Sequence, residues 1–418
     1  MPLLKSWITS ANKPDTDFPL NNLPYGVFSL GNDELRCGVA IGDMIFDVTA
    51  AEEAGAIAPD DAPIFDVPFW NDFIELGPDS WAKFRSNLIT LLASEYTDIP
   101  FLEPFLTPIR AATLHLPFAV SEYTDFYSSR HHAQNVGTMF RGAQNALPPN
   151  WLHMPIGYNG RASSVVVSGT DVRRPWGQIK PDPDAPPVFA PTRKFDFELE
   201  LGAIVGQPSD GMVSVQQADD MIFGYVLLND WSARDIQAWE YQPLGPFQAK
   251  ATATTISPWI VTKAALEPFR TATPAREKEL LPHLREPKPM LYDIALSATF
   301  APAGKSATTI TRTNYREMYF CAAQQLAHHT TSGCPMNVGD LLGSGTISGQ
   351  SRPERGSLVE LSWGGETPIT LDTDDRRTFL EDGDTLALHG AAHGVGYRIG
   401  FGSASGQILP AARDPYAP

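Results

Sequence analysis

The chain has 418 residues, with 31 Lys and Arg against 48 Asp and Glu, for a formal net charge of -17 at pH 7. That balance excludes nucleic acid as an expected partner, because binding a polyanion depends on Lys and Arg neutralising its phosphates. The composition, 43% hydrophobic and 19% charged, is that of a globular protein, and the longest apolar run, Met221 to Leu228, is far too short for a bilayer span.

The length predicts two domains. The opening residues, M-P-L-L-K-S-W-I-T-S, lack the apolar core of a secretory signal, so the expected location is cytoplasmic. Cys37, Cys321 and Cys334 are odd in number and widely spaced, which argues against a disulfide framework and against a C-x-x-C zinc site.

Taken in chain order, 3.6-type spacing first predicts a helix over Ser80 to Ser94. The Pro-rich stretch Asp98 to Pro117 follows, with Pro100, Pro104, Pro108 and Pro117, and is the expected boundary between an N-terminal domain, 1–118, and a catalytic domain, 119–418. Ser164 to Val167, Phe195 to Val205 and Leu358 to Trp363 are short alternating or β-branched segments that predict strands. Pro181 to Pro191 reads as a loop and Arg276 to Pro289 as an exposed excursion. After the buried-strand pattern Met221 to Leu228, Ser232 and Asp235 resemble a capping pair that opens a helix running to Tyr241. A last helix is predicted over Tyr315 to His329. The whole reads as mainly β with few helices.

Chemistry concentrates in three places. Ser121 to Gly142, S-E-Y-T-D-F-Y-S-S-R-H-H-A-Q-N-V-G-T-M-F-R-G, supplies residue types for metal binding, proton transfer and anion capture within one segment. In F-D-F-E-L-E-L-G, strand alternation places Asp196, Glu198 and Glu200 on one face. Those carboxylates suit either a solvated surface or a hard divalent cation, which draws several carboxylate oxygens together. In N-D-W-S-A-R-D-I-Q-A-W-E-Y, a helix would align Arg234, Gln237 and Tyr241, while Trp231, Trp239 and Phe247 imply burial and Asp230 could join the cation.

If the substrate is itself an anion, the negative global field must be overcome by local positive charge, so buried cations in these segments become informative. Other patterns are decoys. Asp372-Thr-Asp374-Asp375 lacks the glycine and terminal acid of a calcium loop and predicts a hairpin turn. Gly343, Gly345, Gly394 and Gly396 predict turns rather than a dinucleotide fold. No G-x-S-x-G elbow occurs. His389 and His393 have strand-like flanks, and His328-His329 predict a helix end or surface role.

These residues occur in strings that resemble the fumarylacetoacetase family over nearly the whole chain. They run from D-F-P-L-N-N-L-P-Y-G-V-F-S at Asp17 to Ser29 and G-V-A-I-G-D at Gly38 to Asp43, through Y-T-D-F-Y-S-S-R-H-H and N-D-W-S-A-R-D-I-Q-A-W-E-Y, to T-T-I-S-P-W at Thr254 to Trp259. G-D-L-L-G-S-G-T-I-S-G at Gly339 to Gly349 and G-Y-R-I-G-F-G at Gly396 to Gly402 continue the match.

The resemblance implies a mainly β (α+β) fold: an SH3-like β-barrel, then a mixed β-roll forming a homodimer. The implied activity is metal-dependent cleavage of the carbon–carbon bond of 4-fumarylacetoacetate to fumarate and acetoacetate, the last step of tyrosine and phenylalanine catabolism. Asp125, Glu198, Glu200 and Asp230 would hold Mg2+ or Ca2+, and backbone groups around Lys250 and Thr254 would hold a second cation. His132, oriented by Glu360, would activate water, and Arg234, Gln237 and Lys250 would stabilise the enolate. Tyr127, Arg141, Gln237, Tyr241 and Thr346 would bind the small anionic diketo acid. His131 would be a bystander and Arg130 a loop support.

Ala249 and Ala253 stand where the family pattern leads one to expect glycine, which puts strain on the second cation site. The alternative is a hydrolase, hydratase or decarboxylase of the same superfamily acting on another 2-oxo or 1,3-dicarbonyl acid, such as an acylpyruvate.

Overall fold

Alternating and β-branched segments pair into two large sheets in the computed structural model, which describes residues 2–31 and 34–416. The larger has 13 strands. Its main path runs from Leu106–Pro108 through Met44–Asp47, Arg36–Ile41 and Tyr25–Ser29 to Trp259–Thr262, Ile222–Asp230, Leu199–Val205, Leu341–Gly343, Tyr123–Phe126 and Gly157–Asn159. The N-terminal strands therefore continue into the sheet that carries Glu200 and Asp230, through the antiparallel pairing of Tyr25 with Ile260. No ladder between the ends of this path closes it into a barrel among the described residues.

A second sheet of five strands orders Thr308–Asn314, Ala295–Ala301, Thr385–Gly394, Tyr397–Leu409 and Val172–Arg173. The larger core lies against it, with Leu296, Ala298, Phe300, Leu386 and Leu388 pointing inward on alternate positions. A second core joins the N-terminal strands to the large sheet, and there Tyr25, Phe65, Trp70, Phe73 and Phe84 pack as an aromatic group beside Phe223. Trp70 is fully buried, stacks on Tyr25 at 4.4 Å and donates its indole N–H to the Gly26 carbonyl at 2.8 Å.

Several expectations hold with shifted bounds. The first predicted helix spans Pro78–Leu92, with proline at its start where no N–H is needed. The Asp372 to Asp375 segment is the turn between Ile369–Thr370 and Arg376–Arg377. The Pro-rich stretch 98–117 is not a free connector: Leu106–Pro108 and Thr113–His115 both pair into the N-terminal part of the sheet. The end of the second Pro-rich stretch pairs as a hairpin, Val188–Pro191 with Trp176–Ile179.

Other expectations are corrected. The helix predicted over Tyr315 to His329 is a single 3-10 turn, Tyr315–Glu317, and then a helix only from Ala322 to His329. The excursion 276–289 is mostly exposed, as expected, but it is also anchored, because Leu280 and Leu284 bury against Trp151, Tyr319 and Phe320. Leu358 to Trp363 is not a strand: Leu358–Leu361 is one turn of helix. Ser232 and Asp235 do not cap a helix. Ser232–Ala233 pairs as a strand with Phe195–Asp196, the helix runs Arg234–Glu240, and the Asp235 carboxylate instead accepts from Thr192 Oγ1 and the Arg193 N–H. Trp231 is buried as expected, but Trp239 and Phe247 are 40% and 72% exposed.

No described helix is long and apolar enough to cross a membrane. Trp70→Ala removes a buried aromatic and leaves the Gly26 carbonyl unpaired, so it should destabilise the fold by about 3–5 kcal/mol in urea denaturation. Because Trp70 packs in the core away from the carboxylates described next, the stabilisation of that variant by divalent cations should match that of the wild type.

Candidate metal centre and active site

The strand order brings carboxylates together from distant parts of the sequence. Leu199–Val205 lies between Ile222–Asp230 and Leu341–Gly343, and the latter pairs in parallel with Tyr123–Phe126, Gly343 opposite Asp125. Asp125 and Glu200 are thus two strands apart, at roughly twice the ~4.8 Å strand spacing. The residue between them is Gly343. A Cβ there would stand 2.5 Å from Asp125 Oδ1 and 3.1 Å from Glu200 Oε2, so only glycine lets the two carboxylates converge across the middle strand. Glu198 precedes one strand and Asp230 ends another. Ligand atoms of Asp125, Glu198, Glu200 and Asp230 all lie within 4.8 Å of one another, and all four residues are buried.

Burial makes this cluster electrostatically demanding. Burial, then the Asp230 charge, pushes the Asp125 carboxyl well above its ordinary value, and burial followed by the Asp125 charge does the same to Glu200. Glu198 goes the other way: burial opposes its charge, but Lys250 and then Arg234 outweigh that and hold it well below the usual carboxylate range. Lys250 Nζ donates to Glu198 Oε2 at 2.6 Å and to Asp230 Oδ2 at 2.8 Å, and Arg234 Nη1 pairs with Glu198 Oε1 at 2.7 Å. Burial alone would lower Lys250, yet Asp230 and Glu198 raise it above its ordinary value, so the ammonium stays charged.

Asp125 Oδ1, Glu200 Oε1 and Asp230 Oδ1 are buried with no hydrogen-bond partner in the protein. An unpartnered buried carboxylate oxygen is costly. Three of them facing one point, in a set with oxygen donors only, fit a hard divalent cation such as Mg2+ or Ca2+.

Beside the cluster stands an acid–base pair. The helix Arg130–Arg141 is capped by Ser129, whose Oγ accepts from the His132 N–H, and its first turn presents His132 inward. His132 Nδ1 meets Glu360 Oε2 at 2.7 Å with both side chains buried. Asn135 Nδ2 donates to Glu360 Oε1 at 2.9 Å, while Ser357 and Ser348 hydroxyls donate to Oε2 at 2.7 and 2.9 Å. Burial would raise the Glu360 carboxyl, but His132 and these donors lower it to about 2, so it is a fixed anion at neutral pH. His132 is close enough to Glu198 to lower its pKa further.

Most remaining predicted residues gather here too. Gln237 Oε1 accepts from Arg234 Nη1 at 3.1 Å, and the Arg234 Nη2 group is buried without a partner. Tyr127 is half-buried with its ring edge-on to His132 at 5.4 Å. Thr346 and Thr254 are buried, each with an unpartnered hydroxyl, and Tyr241 ends the Arg234 helix.

Arg141 stands apart. It is exposed, and its guanidinium is engaged by the Asn145 and Ala146 carbonyls. Asp196 does not stay with Glu198 and Glu200, because the strand breaks at Phe197–Glu198 and its carboxylate turns to Arg234.

Several contributors escaped the sequence reading, among them the Ser348 and Ser357 hydroxyls on Glu360. Gly343, read as a turn glycine, is a strand residue between two carboxylates. Tyr158, whose hydroxyl donates to Asp230 Oδ2 at 2.8 Å, and Asn135 carry no motif that would mark them. Among the bystanders, Arg130 pairs with Glu277 and His131 lies 3.9 Å from Glu317.

A buried set of oxygen ligands next to a carboxylate-held histidine equips an enzyme for polar chemistry on an oxygen-rich substrate with a hard cation. The comparisons narrow that class. Residues 122–408 match the family model for the fumarylacetoacetate (FAA) hydrolase C-terminal region and residues 21–117 the one for the fumarylacetoacetase N-terminal region; the chain belongs to the fumarylacetoacetase family.

The fumarylacetoacetase of Dictyostelium discoideum is 47% identical over 427 residues, covering 98% of this chain and 99% of that protein. The Bos taurus fumarylacetoacetase is 48% identical over 408 residues, 95% of this chain and 97% of its own length. A solved fumarylacetoacetate hydrolase from the psychrophile Exiguobacterium antarcticum shares the fold at a TM-score of 0.53 and 15% identity, covering 93% of this chain and 99% of that one.

Adding Mg2+ or Ca2+ to chelator-stripped protein should raise its stability, by about 2.7 kcal/mol at ~100 times the dissociation constant. Asp125 and Glu200 have raised pKa values in the metal-free fold. The folded state therefore binds more protons than the unfolded chain between the ordinary carboxylate pKa and the raised values, and the metal-free protein loses stability as pH rises through that window. Metal displaces those protons, so the metal-induced increment in thermal midpoint should grow as pH rises above the ordinary carboxylate range. Gly343→Ala should remove most of that increment, as read by the same titration.

Proposed function

We propose that this protein hydrolyses 4-fumarylacetoacetate to fumarate and acetoacetate. The observation that carries the reading is the His132–Glu360 pair held beside four converging carboxylates, in a chain nearly half identical to fumarylacetoacetases along almost its full length.

Glu360, fixed by three donors besides the imidazole, holds His132 through Nδ1 and leaves Nε2 to take a proton from water. The water oxygen adds to a substrate carbonyl, and breaking the adjacent carbon–carbon bond releases the fumaryl carboxylate and the acetoacetate enolate, whose carbon then takes up a proton. A divalent cation bound by Asp125, Glu198, Glu200 and Asp230 would supply Lewis-acid polarisation of the diketone oxygens. Arg234, Gln237 and Lys250 stabilise the negative charge that develops on the leaving enolate, and the fixed positions of the two cations support that role. Tyr127, Tyr241 and Thr346 orient the substrate, supported for Thr346 by its unpartnered buried hydroxyl. Arg141 would meet a substrate carboxylate by leaving its loop carbonyls.

The same reading includes a second cation at the backbone of Lys250 and Thr254, supported by the buried, unpartnered Thr254 hydroxyl, although buried Ala249 and Ala253 occupy the expected glycine positions. It also includes Mg2+ or Ca2+ as the resident ion, a homodimer, a cytoplasmic location, and a division at residue 118 into an SH3-like module and a β-roll. The two family models, meeting between residues 117 and 122, support that division.

Incubation with 4-fumarylacetoacetate should remove the diketone absorbance and yield equal amounts of fumarate and acetoacetate, whereas turnover only of other diketo acids, such as acylpyruvates, would refute the assignment. His132→Ala should lower kcat by roughly 100- to 10,000-fold while the stabilisation by divalent cations persists. Wild-type turnover in that variant would remove His132 from the mechanism.

A further inference from the structure

Asp196 opens the D-F-E-L-E run and is fully buried, yet it contributes nothing to the four-carboxylate cluster. Its carboxylate instead accepts four hydrogen bonds. Oδ1 takes the Phe197 N–H at 2.8 Å and the Leu358 N–H at 2.7 Å, while Oδ2 takes the Val359 N–H at 3.0 Å and Arg234 Nε at 2.8 Å.

Those donors come from two halves of the site. Leu358 and Val359 are the first two residues of the single helical turn Leu358–Leu361 that carries Glu360, and Ser357, at its N-cap, makes no side-chain cap bond of its own. One turn of helix is far below the length at which a helix is stable alone. Its free N–H groups need an acceptor, and Asp196 satisfies two of them. On the other side, Arg234 is clamped through Nε by Asp196 and through Nη1 by Glu198, which leaves only Nη2 without a protein partner.

We propose that Asp196 is a positioning residue that fixes the turn bearing Glu360 and the guanidinium of Arg234 in one register. The proton-accepting half of the site and its charge-stabilising half then stand at a set distance. Two oxygens of one carboxylate span the gap, so neither half can shift without breaking a bond to the other. This deepens the reading of the site given above and rests on it.

The test compares kcat, KM and cation-induced stabilisation in the full-length protein. Asp196→Asn keeps the shape but turns one acceptor into a donor that faces a helix N–H in either orientation, with either the Phe197 N–H or Arg234 Nε beside it. Misplacement of about 1 Å in such a site costs on the order of 100-fold, so kcat should fall by roughly that factor, with KM changed only a few-fold and the response to Mg2+ intact. In a Glu360→Gln background the same change should cost less, because one of the two groups that Asp196 positions is already disabled. Wild-type kcat in folded Asp196→Asn, full additivity with Glu360→Gln, or a loss of Mg2+ response in step with kcat would each overturn the proposal.

If Asp196→Asn does not fold, Leu358→Pro deletes one donor at a first helical position, where proline is accepted, and Ser357 already has the extended backbone that a following proline demands. Its kcat should lie roughly fivefold below that of Leu358→Ala, which loses side-chain volume but keeps the N–H, and equal values would overturn the proposal. Absence of fumarylacetoacetate turnover in the wild type strikes the functional reading instead, and the brace is then tested on whichever diketo acid the protein does process.

Discussion

The rest of the structure answers to one constraint: six carboxylates, Asp125, Asp196, Glu198, Glu200, Asp230 and Glu360, are buried around one site that contains two permanent cations, Arg234 and Lys250. Charges this deep are tolerable only when paired or hydrogen-bonded, or when they gather on a metal. The protein divides them accordingly. Glu360 is satisfied by His132 and three polar donors, Asp196 by three backbone N–H groups and Arg234, and Glu198 by both cations. Asp125, Glu200 and Asp230 each keep an oxygen without a partner, and Asp125 and Glu200 have pKa values pushed well above the ordinary carboxylate range. The metal assignment follows from that remainder rather than from the number of acids alone.

The sheet is what makes such a concentration possible. Strand ends place Glu198, Glu200 and Asp230 on neighbouring strands, and the glycine at 343 removes the side chain that would separate Asp125 from them. The irregular pieces beside the sheet supply the rest. The break at Phe197–Glu198 lets one short run of sequence serve two purposes, with Asp196 turned toward the Glu360 helix and Glu198 toward Lys250. A regular strand through these residues would have kept all three acids on one face.

That break marks the limit of what was legible in the sequence. The clustered carboxylates, His132 and Arg234 stood in polar strings, and the strands around them alternated, so their residue types could be read directly, whereas the roles of His132, Glu360 and Lys250 came only from the family resemblance. The one-turn helix at Leu358 could not be read. L-V-E-L-S-W alternates like a strand, and what makes it helical is a carboxylate more than 160 residues earlier accepting its first N–H groups. Gly343 was misread for a related reason: its meaning lies in the strands on either side, which local spacing does not reveal. Trp239 and Phe247 erred the other way, since aromatic content suggested burial where Trp239 lies on the outward face of the helix Arg234–Glu240 and Phe247 in the exposed segment after it.

The net charge of -17 gives the arrangement its direction. A dianionic diketo acid approaches a protein that repels it, and the enolate it must form adds charge at the reacting carbon. Replacing this buried network with apolar side chains of similar volume would tend to stabilise the fold, so its presence is poorly explained by stability. In the proposed mechanism, however, Arg234 and Lys250, held rigidly, would need no reorganisation when charge develops, and low surrounding polarity would strengthen what they do. The acids that clamp them, Asp196 and Glu198 on Arg234 and Glu198 and Asp230 on Lys250, are therefore as much a part of that electrostatic design as the cations themselves.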